Sequence, residues 1–179
     1  MRALFICIKF EVRGVKEKIS KEQFCNNYGE LKDSLYRYAL YRMGNSGDAE
    51  DAVSDAVLAA WQSRDKLQDI EAFGAWIFAI LRNTCSSKIK SLIRQREKLE
   101  KAGTSEKINT AGSQWEEASL PLEILEALEI LSDEDKDIVL MSVIGEFTSK
   151  EISEITGLKP GSVRSRLSRS LAEMRNFLS

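Results

Sequence analysis

Arginines and serines alternate along one stretch near the C-terminal end of this 179-residue chain, GSVRSRLSR at residues 161–169. On a helix, guanidinium forks and small hydroxyls at this spacing suit the major groove of DNA, where arginine binds guanine edges and phosphates. The candidate DNA-binding residues are Gly161, Ser162, Arg164, Ser165, Arg166, Ser168 and Arg169. Gly161 would permit close backbone approach, and we expect Arg166 to contact phosphate rather than bases. A basic, solvated face on an ordinary two-helix corner is the alternative interpretation.

The residues before and within this stretch predict a helix-turn-helix. Thr148 and Glu151 have the spacing of a capping box, which starts a first helix. Gly157 can adopt the left-handed conformation that ends that helix, and Pro160 suits the first position of a second one. Val163 would anchor the second helix from its apolar side. These signals place the arginines on the exposed face of a recognition helix.

A second set of residues combines aromatic rings, cations and an amide, the combination that captures single-stranded nucleic acid by stacking and charge. Its members are Trp76, Phe78, Arg82, Asn83, Lys88 and Lys90. Asn83 is the favoured base reader, because an amide offers both a donor and an acceptor to an exposed base edge. Trp76 also continues the apolar stripe that begins at Phe73, and a core position is the favoured interpretation of that tryptophan.

A third set lies on a helix with apolar residues along its other face. Its carboxylates would present an acidic surface to a basic protein, although a solvated helix face explains the pattern as well. The acidic residues are Asp48, Glu50, Asp51 and Asp55.

Charge is sorted along the chain, so the net charge of −2 conceals its pattern. Residues 48–71 and 116–137 are acidic, whereas residues 82–101 and 159–175 are basic. This alternation predicts separate faces for nucleic acid and for another protein. With no histidine and three cysteines without metal-ligand spacing, neither an enzyme nor a cofactor is expected. No apolar run approaches the ~20 residues of a membrane span, and we expect a cytoplasmic protein without membrane insertion.

Helical periodicity throughout predicts an all-α fold of two small helical domains joined by a flexible linker. The expected divisions are an N-terminal extension at 1–20, a first domain at 21–97, a linker at 98–119 and a second domain at 120–179. The extension differs in character from the rest, and translation starting at Val15 is one possibility. In the second domain Leu171, Met174 and Leu178 are expected to close the final helix.

Three stretches together resemble the bacterial RNA polymerase sigma factors. GDAEDAVSDAVLAAW at 47–61 and FGAWIFAILRNTC at 73–85 are similar to sigma region 2. LSDEDKDIVLMSVIGEFTSKEISEITGLKPGSVRSRLSRSLAEMRNFL at 131–178 is similar to region 4. Little chain remains for region 1.1 or a folded region 3, which is typical of the extracytoplasmic-function (ECF) class.

The resemblance implies a non-enzymatic subunit that binds core RNA polymerase, recognises promoter −10 and −35 elements and promotes DNA melting. By resemblance, the acidic helix with Ser54 binds the β′ clamp helices, and the β flap is a further contact with core RNA polymerase. Trp76, Arg82, Asn83 and Lys88 would contact the −10 strand, the 63–72 link would hold a flipped base, and residues 161–169 would read the −35 duplex. The free protein is expected to be masked by its linker or by an anti-sigma factor.

Three positions depart from the family pattern. Ser54 replaces a usual glutamine, Ser168 replaces a bulky side chain of the recognition helix, and Ser153 replaces an alanine, which would loosen helix packing. A stand-alone helix-turn-helix regulator of duplex DNA is the main alternative, although it leaves the first three helices without a role. A scaffold that mimics sigma surfaces without starting transcription is a third reading.

Overall fold

The computed structural model describes residues 19–101 and 121–179, and these ranges contain seven α-helices, two short 3₁₀ helices and no strands. The α-helices are α1 Lys21–Met43, α2 Ser46–Ser63, α3 Phe73–Lys101, α4 Leu122–Glu129, α5 Asp133–Val143, α6 Ser149–Thr156 and α7 Pro160–Phe177. The all-α prediction is confirmed. Val15 and most of the expected linker lie outside the described residues.

Helices α1, α2 and α3 pack together as a three-helix bundle. Helix α1 begins at a capping box between Ser20 and Gln23, and it ends at Gly44, whose φ of 81° is left-handed. The buried side chains of α2 are chiefly alanines, which let the neighbouring helices approach closely. Between the helices the ring of Phe24 meets Trp61 and Phe73 edge to face, at centroid distances of 5.2 and 5.3 Å.

Helices α4 to α7 form the second group, in which α4, α5 and α6 all contact α7. The predicted capping box is present, because Glu151 N donates to Thr148 Oγ1 and Thr148 N donates to a Glu151 carboxylate oxygen. Gly157 ends α6 with a φ of 76°, and Pro160 occupies the first turn of α7. The predicted helix-turn-helix is therefore confirmed. Of the three side chains expected to close α7, Met174 is buried but Leu171 and Leu178 are exposed.

The two groups of helices also contact each other. Helix α1 meets α5 and α3 meets α6, and the buried side chains of both groups form one continuous cluster. The ring of Phe147, in the turn between α5 and α6, lies 4.9 Å from Phe78 of α3, edge to face. No helix in the described ranges is long and apolar enough to cross a membrane.

Candidate promoter and polymerase interfaces

Helix α7 presents the predicted DNA-binding residues on its outer face. Gly161, Ser162, Arg164, Ser165, Ser168 and Arg169 are all exposed. Val163 is fully buried and anchors the helix, as its spacing predicts. A Cβ at Gly161 would meet only the Arg164 guanidinium, at 3.9 Å, so the backbone there is open to close approach. The geometry suits a recognition helix, and DNA contact by these residues stays a prediction.

Arg166 differs from its neighbours because its guanidinium points back to α5. Its Nε lies 2.7 Å from Asp135 Oδ1, and its Nη1 lies 2.7 Å from Glu134 Oε2. The hydrogen bond from Arg166 lowers the pKa of Asp135, and the same bond raises the pKa of Arg166. The side chain that we expected to bind phosphate thus joins the recognition helix to the first turn of α5.

The Arg166–Asp135 pair predicts a measurable contribution to stability. Asp135→Asn should lower the free energy of unfolding by about 0.5–1 kcal/mol at neutral pH, because the pair is only partly exposed. Since the folded-state pKa of Asp135 is lowered, this contribution is present above its ordinary pKa of about 3.9 and is lost as the pH falls through the lowered value. Urea unfolding at neutral and acidic pH measures both effects.

Glu123→Gln, an exposed change on α4, is the control for the loss of one negative charge. In a double-mutant cycle, Arg166→Gln should add little once Asp135→Asn is present. Fully additive losses would show that the two side chains do not act as a pair.

Ser153 connects α6 to the turn that precedes the recognition helix. Its hydroxyl donates to the carbonyl oxygen of Leu158 at 2.5 Å, and Leu158 N donates to Thr156 Oγ1 at 3.3 Å. The hydroxyl of Ser153 therefore adds a hydrogen bond across the turn, whereas the replacement of the family's usual alanine by serine predicted only looser helix packing.

The aromatic members of the second set are less accessible than predicted. Phe78 is fully buried between Tyr38 and Phe147, so its prediction as a stacking platform is wrong. Trp76 is half-buried, with its ring 5.8 Å from that of Phe73, which agrees with the favoured core interpretation. Asn83 is exposed on α3 and directly follows Arg82 in the sequence.

Two of the three cations of this set, Arg82 and Lys88, have carboxylate partners, and Lys90 is exposed. Arg82 Nε lies 2.8 Å from Asp137 Oδ2 of α5, and Lys88 Nζ lies 2.7 Å from Asp55 Oδ2 of α2. The hydrogen bond to Asp55 raises the pKa of Lys88. Lys88 and Asp55 were assigned to different interfaces, and the structure brings them together where α2 packs on α3.

Helix α2 carries the acidic face. Glu50, Asp51, Ser54 and Asp55 are exposed, whereas Asp48 is half-buried and accepts a 2.8 Å hydrogen bond from the side chain of Asn45, the residue that caps α2. A surface groove separates this face from α1. It is lined by Tyr28, Lys32, Asp33, Tyr36, Glu50, Val53 and Ser54. The α1 side of this groove was missed from the sequence, although two tyrosines eight residues apart on one helix are a recognisable signal.

The link between α2 and α3 contains the 3₁₀ helices Arg64–Lys66 and Ile70–Ala72. The Arg64 guanidinium lies over the Trp61 ring at 4.1 Å and donates to the Trp61 carbonyl oxygen. These contacts fix the start of the link beside the bundle. Ile70, further along, is 39% exposed.

Asp137 is the functional candidate that sequence reasoning missed. Its side chain is only 3% exposed and lies among Tyr38, Arg42 and Arg82 of the first bundle. The available signal in the sequence was an acidic residue directly before the apolar run at 138–141, since a helix buries its apolar face. Its three partners are distant in sequence, so the signal does not identify them.

Comparison with known proteins gives matches to two family models. Sigma-70 region 2 matches residues 28–96, and sigma-70 region 4 matches residues 122–174. The ECF RNA polymerase sigma factor SigL of Mycobacterium tuberculosis is 28% identical, covering 83% of this chain and 84% of the relative. SigW of Bacillus subtilis, also an ECF RNA polymerase sigma factor, is 26% identical and covers 96% of each chain.

Among solved structures, the sigma factor RpoE in complex with the anti-sigma factor NepR from Bartonella quintana superimposes with a TM-score of 0.71. It is 26% identical and covers 88% of this chain and 97% of its own. CnrH, in complex with the cytosolic domain of CnrY, has a TM-score of 0.63 at 21% identity and covers 89% of each chain, which shows a shared fold.

Proposed function

Because the chain belongs to the sigma-70 family of bacterial RNA polymerase sigma factors, in its ECF class, we propose a division of its surfaces among the tasks of promoter recognition. A sigma factor binds core RNA polymerase, recognises promoter elements and starts transcription. The observation that supports the division is that one chain exposes both an acidic face on α2 and a recognition helix, α7. A stand-alone regulator is not favoured, since it needs neither region 2 nor its acidic face.

Helix α7 is proposed to read the −35 element as a duplex. Arg164 and Arg169 are exposed, and each can form a bidentate contact with guanine. Ser162, Ser165 and Ser168 add small hydroxyl groups close to the base edges. Phosphate contacts at the start of the helix supply much of the affinity and make it salt-dependent.

Helix α3 is proposed to hold the melted −10 strand. Asn83 reads an exposed base, while Arg82 and Lys88 bind phosphates once they leave their carboxylate partners. Trp76 supplies a half-buried ring at the edge of this surface. The 63–72 link lies at the start of α3, where a flipped base would be held.

Core polymerase is proposed to bind at two places. The acidic face of α2 and its groove with α1 bind the β′ clamp helices through opposite charge. The β flap covers the second group of helices, where Leu122, Phe177 and Leu178 remain exposed at 56, 48 and 43%. The RpoE structure contains an anti-sigma factor, and we propose that a protein of this type regulates the present chain. Because this function requires association with core RNA polymerase, we propose that the protein acts in the cytoplasm as a non-catalytic subunit.

Reversal of one exposed charge on α2 tests the polymerase assignment. Asp51→Lys should weaken affinity for core RNA polymerase about fivefold, the effect of roughly 1 kcal/mol at an exposed ion pair. Fluorescence anisotropy of labelled protein titrated with core enzyme measures the affinity. Glu22→Lys, which makes the same charge change at the far end of α1, should bind as the wild type does. Equal affinities for all three proteins would contradict this use of α2.

A further inference from the structure

The contact between the two groups of helices has a buried charged centre. Asp137 Oδ1 accepts a hydrogen bond from Tyr38 Oη at 2.8 Å and lies 2.7 Å from Arg42 Nε. Its Oδ2 accepts a hydrogen bond from Arg82 Nε at 2.8 Å. The Arg42 side chain is 2% exposed and also reaches the exposed Asp133 at 3.2 Å. Both oxygens of one buried carboxylate on α5 are thus engaged by α1 and α3.

Two consequences for the pKa values follow from this burial. Burial raises the pKa of Tyr38 well above its ordinary value, and the adjacent Asp137 charge adds to the effect. Burial lowers the pKa of Arg42, but the nearby carboxylates of Asp137 and Asp133 outweigh it and leave that pKa raised. Tyr38 therefore stays a neutral donor and Arg42 stays a cation at neutral pH.

An apolar contact lies beside the charged centre. The turn between α5 and α6 directs Phe147 onto Phe78 and to within 4 Å of the position that a Cβ on Gly74 would occupy. The turn is tight, because a Cβ on Gly145 would lie 2.6 Å from the Phe147 ring. Glu146 adopts a φ of 56°, which is costly for a residue other than glycine. Glu146 thus keeps an unfavourable backbone conformation directly before Phe147, the residue whose ring contacts α3.

We propose that these residues form a latch that closes the protein, with the Asp137 carboxylate in the place of a promoter phosphate at Arg82. The latch consists of Tyr38, Arg42, Arg82, Asp137, Phe78 and Phe147. The proposal rests on the function proposed for α3, because Asp137 occupies the Arg82 Nε that a phosphate of the melted strand would otherwise bind. The melted strand then gains access to Arg82 Nε only as the two groups separate.

The composition of the latch suits a contact that must open. Buried ion pairs gain little net free energy, because the desolvation of both charges offsets their attraction. In the separated state water hydrates Arg42 and Asp137. Arg82 can then bind a DNA phosphate, which is negatively charged like the Asp137 carboxylate that it replaces. Removal of Asp137 alone leaves the Arg42 charge buried without its main partner, which favours the open form.

Small-angle X-ray scattering on the full chain tests the latch directly. Asp137→Asn should have a larger radius of gyration than the wild type, with an unchanged helical circular dichroism signal. Glu123→Gln is the control, since it removes one negative charge from an exposed side chain on α4, in the same group of helices. A folded Asp137→Asn protein with the radius of the wild type would overturn the proposal.

A binding experiment tests the competition at Arg82 separately. Asp137→Asn should bind fluorescein-labelled oligothymidine about fivefold more tightly than Glu123→Gln does, an effect at the small end of the usual range of coupling between two sites. Addition of Arg82→Ala to Asp137→Asn should remove the gain. An expanded Asp137→Asn protein without tighter binding would overturn the competition and the −10 role of Arg82, while the opening itself would stand on the scattering result.

Phe147→Ala provides a second route to the open form. It removes the apolar half of the latch and leaves all the ionic groups in place. Should Asp137→Asn fail to fold, an expanded Phe147→Ala protein with tighter oligothymidine binding supports the latch. A compact Phe147→Ala protein contradicts it.

Discussion

Arg164→Ala and Arg169→Ala should each lower promoter-dependent transcription roughly tenfold to a hundredfold, because one bidentate arginine–guanine contact contributes about 1–3 kcal/mol. Both side chains are exposed on α7, and within the chain Arg169 Nε donates only a 3.3 Å hydrogen bond to the carbonyl oxygen of Ser165, one turn earlier. Neither guanidinium is needed to hold the helix in place. The loss should therefore be one of DNA recognition, without a loss of stability.

Run-off transcription at limiting protein measures the effect, and anisotropy with core RNA polymerase should give the wild-type affinity for both variants. Arg175→Ala is the matched control, because it removes an exposed arginine from the last turn of the same helix. If both variants transcribe as well as the control, the assignment of these arginines as −35 readers is wrong.

Asn83→Ala should reduce the yield of open complex about tenfold while leaving binding to the closed duplex almost unchanged. The amide is proposed to pair with a base that becomes available only after melting, and an unsatisfied polar edge costs about 1–3 kcal/mol. Permanganate footprinting of unpaired thymines measures the melted state, and gel-shift assays at low temperature measure duplex binding.

Gln95→Ala is the control for this experiment. It removes an exposed amide from the same helix, about 18 Å further along the axis at 1.5 Å per residue. Equal thymine reactivity in wild type, Gln95→Ala and Asn83→Ala would exclude Asn83 as a reader of the melted strand.

The helix-turn-helix is the part of the fold that is most predictable from the sequence, because its signals are local. The Thr148–Glu151 capping box, Gly157 and Pro160 each act within a few residues, and all three have their predicted roles. The exposed face of α7 follows from helical spacing once Val163 is recognised as its anchor. The exposed acidic residues of α2 follow in the same way.

The latch is not predictable by the same means, because its contacts join residues that are far apart in sequence. Arg42 and Arg82 meet Asp137 only after α5 has packed against both α1 and α3. Phe78 illustrates the consequence. It follows Ile77 on α3, and its ring is buried between Tyr38 of α1 and Phe147 of the second group, a contact that no local pattern predicts. Arg166 likewise has the spacing of a DNA-binding residue, and only the position of α5 gives it two carboxylate partners.

Transcription with purified protein and homologous core RNA polymerase on a genomic fragment library, followed by sequencing of transcript starts, tests the central claim most directly. The assignment of α7 to a −35 element and of α3 to a −10 element predicts discrete new starts that share two upstream sequence motifs at a fixed separation. Duplex DNA binding without any added start would contradict it.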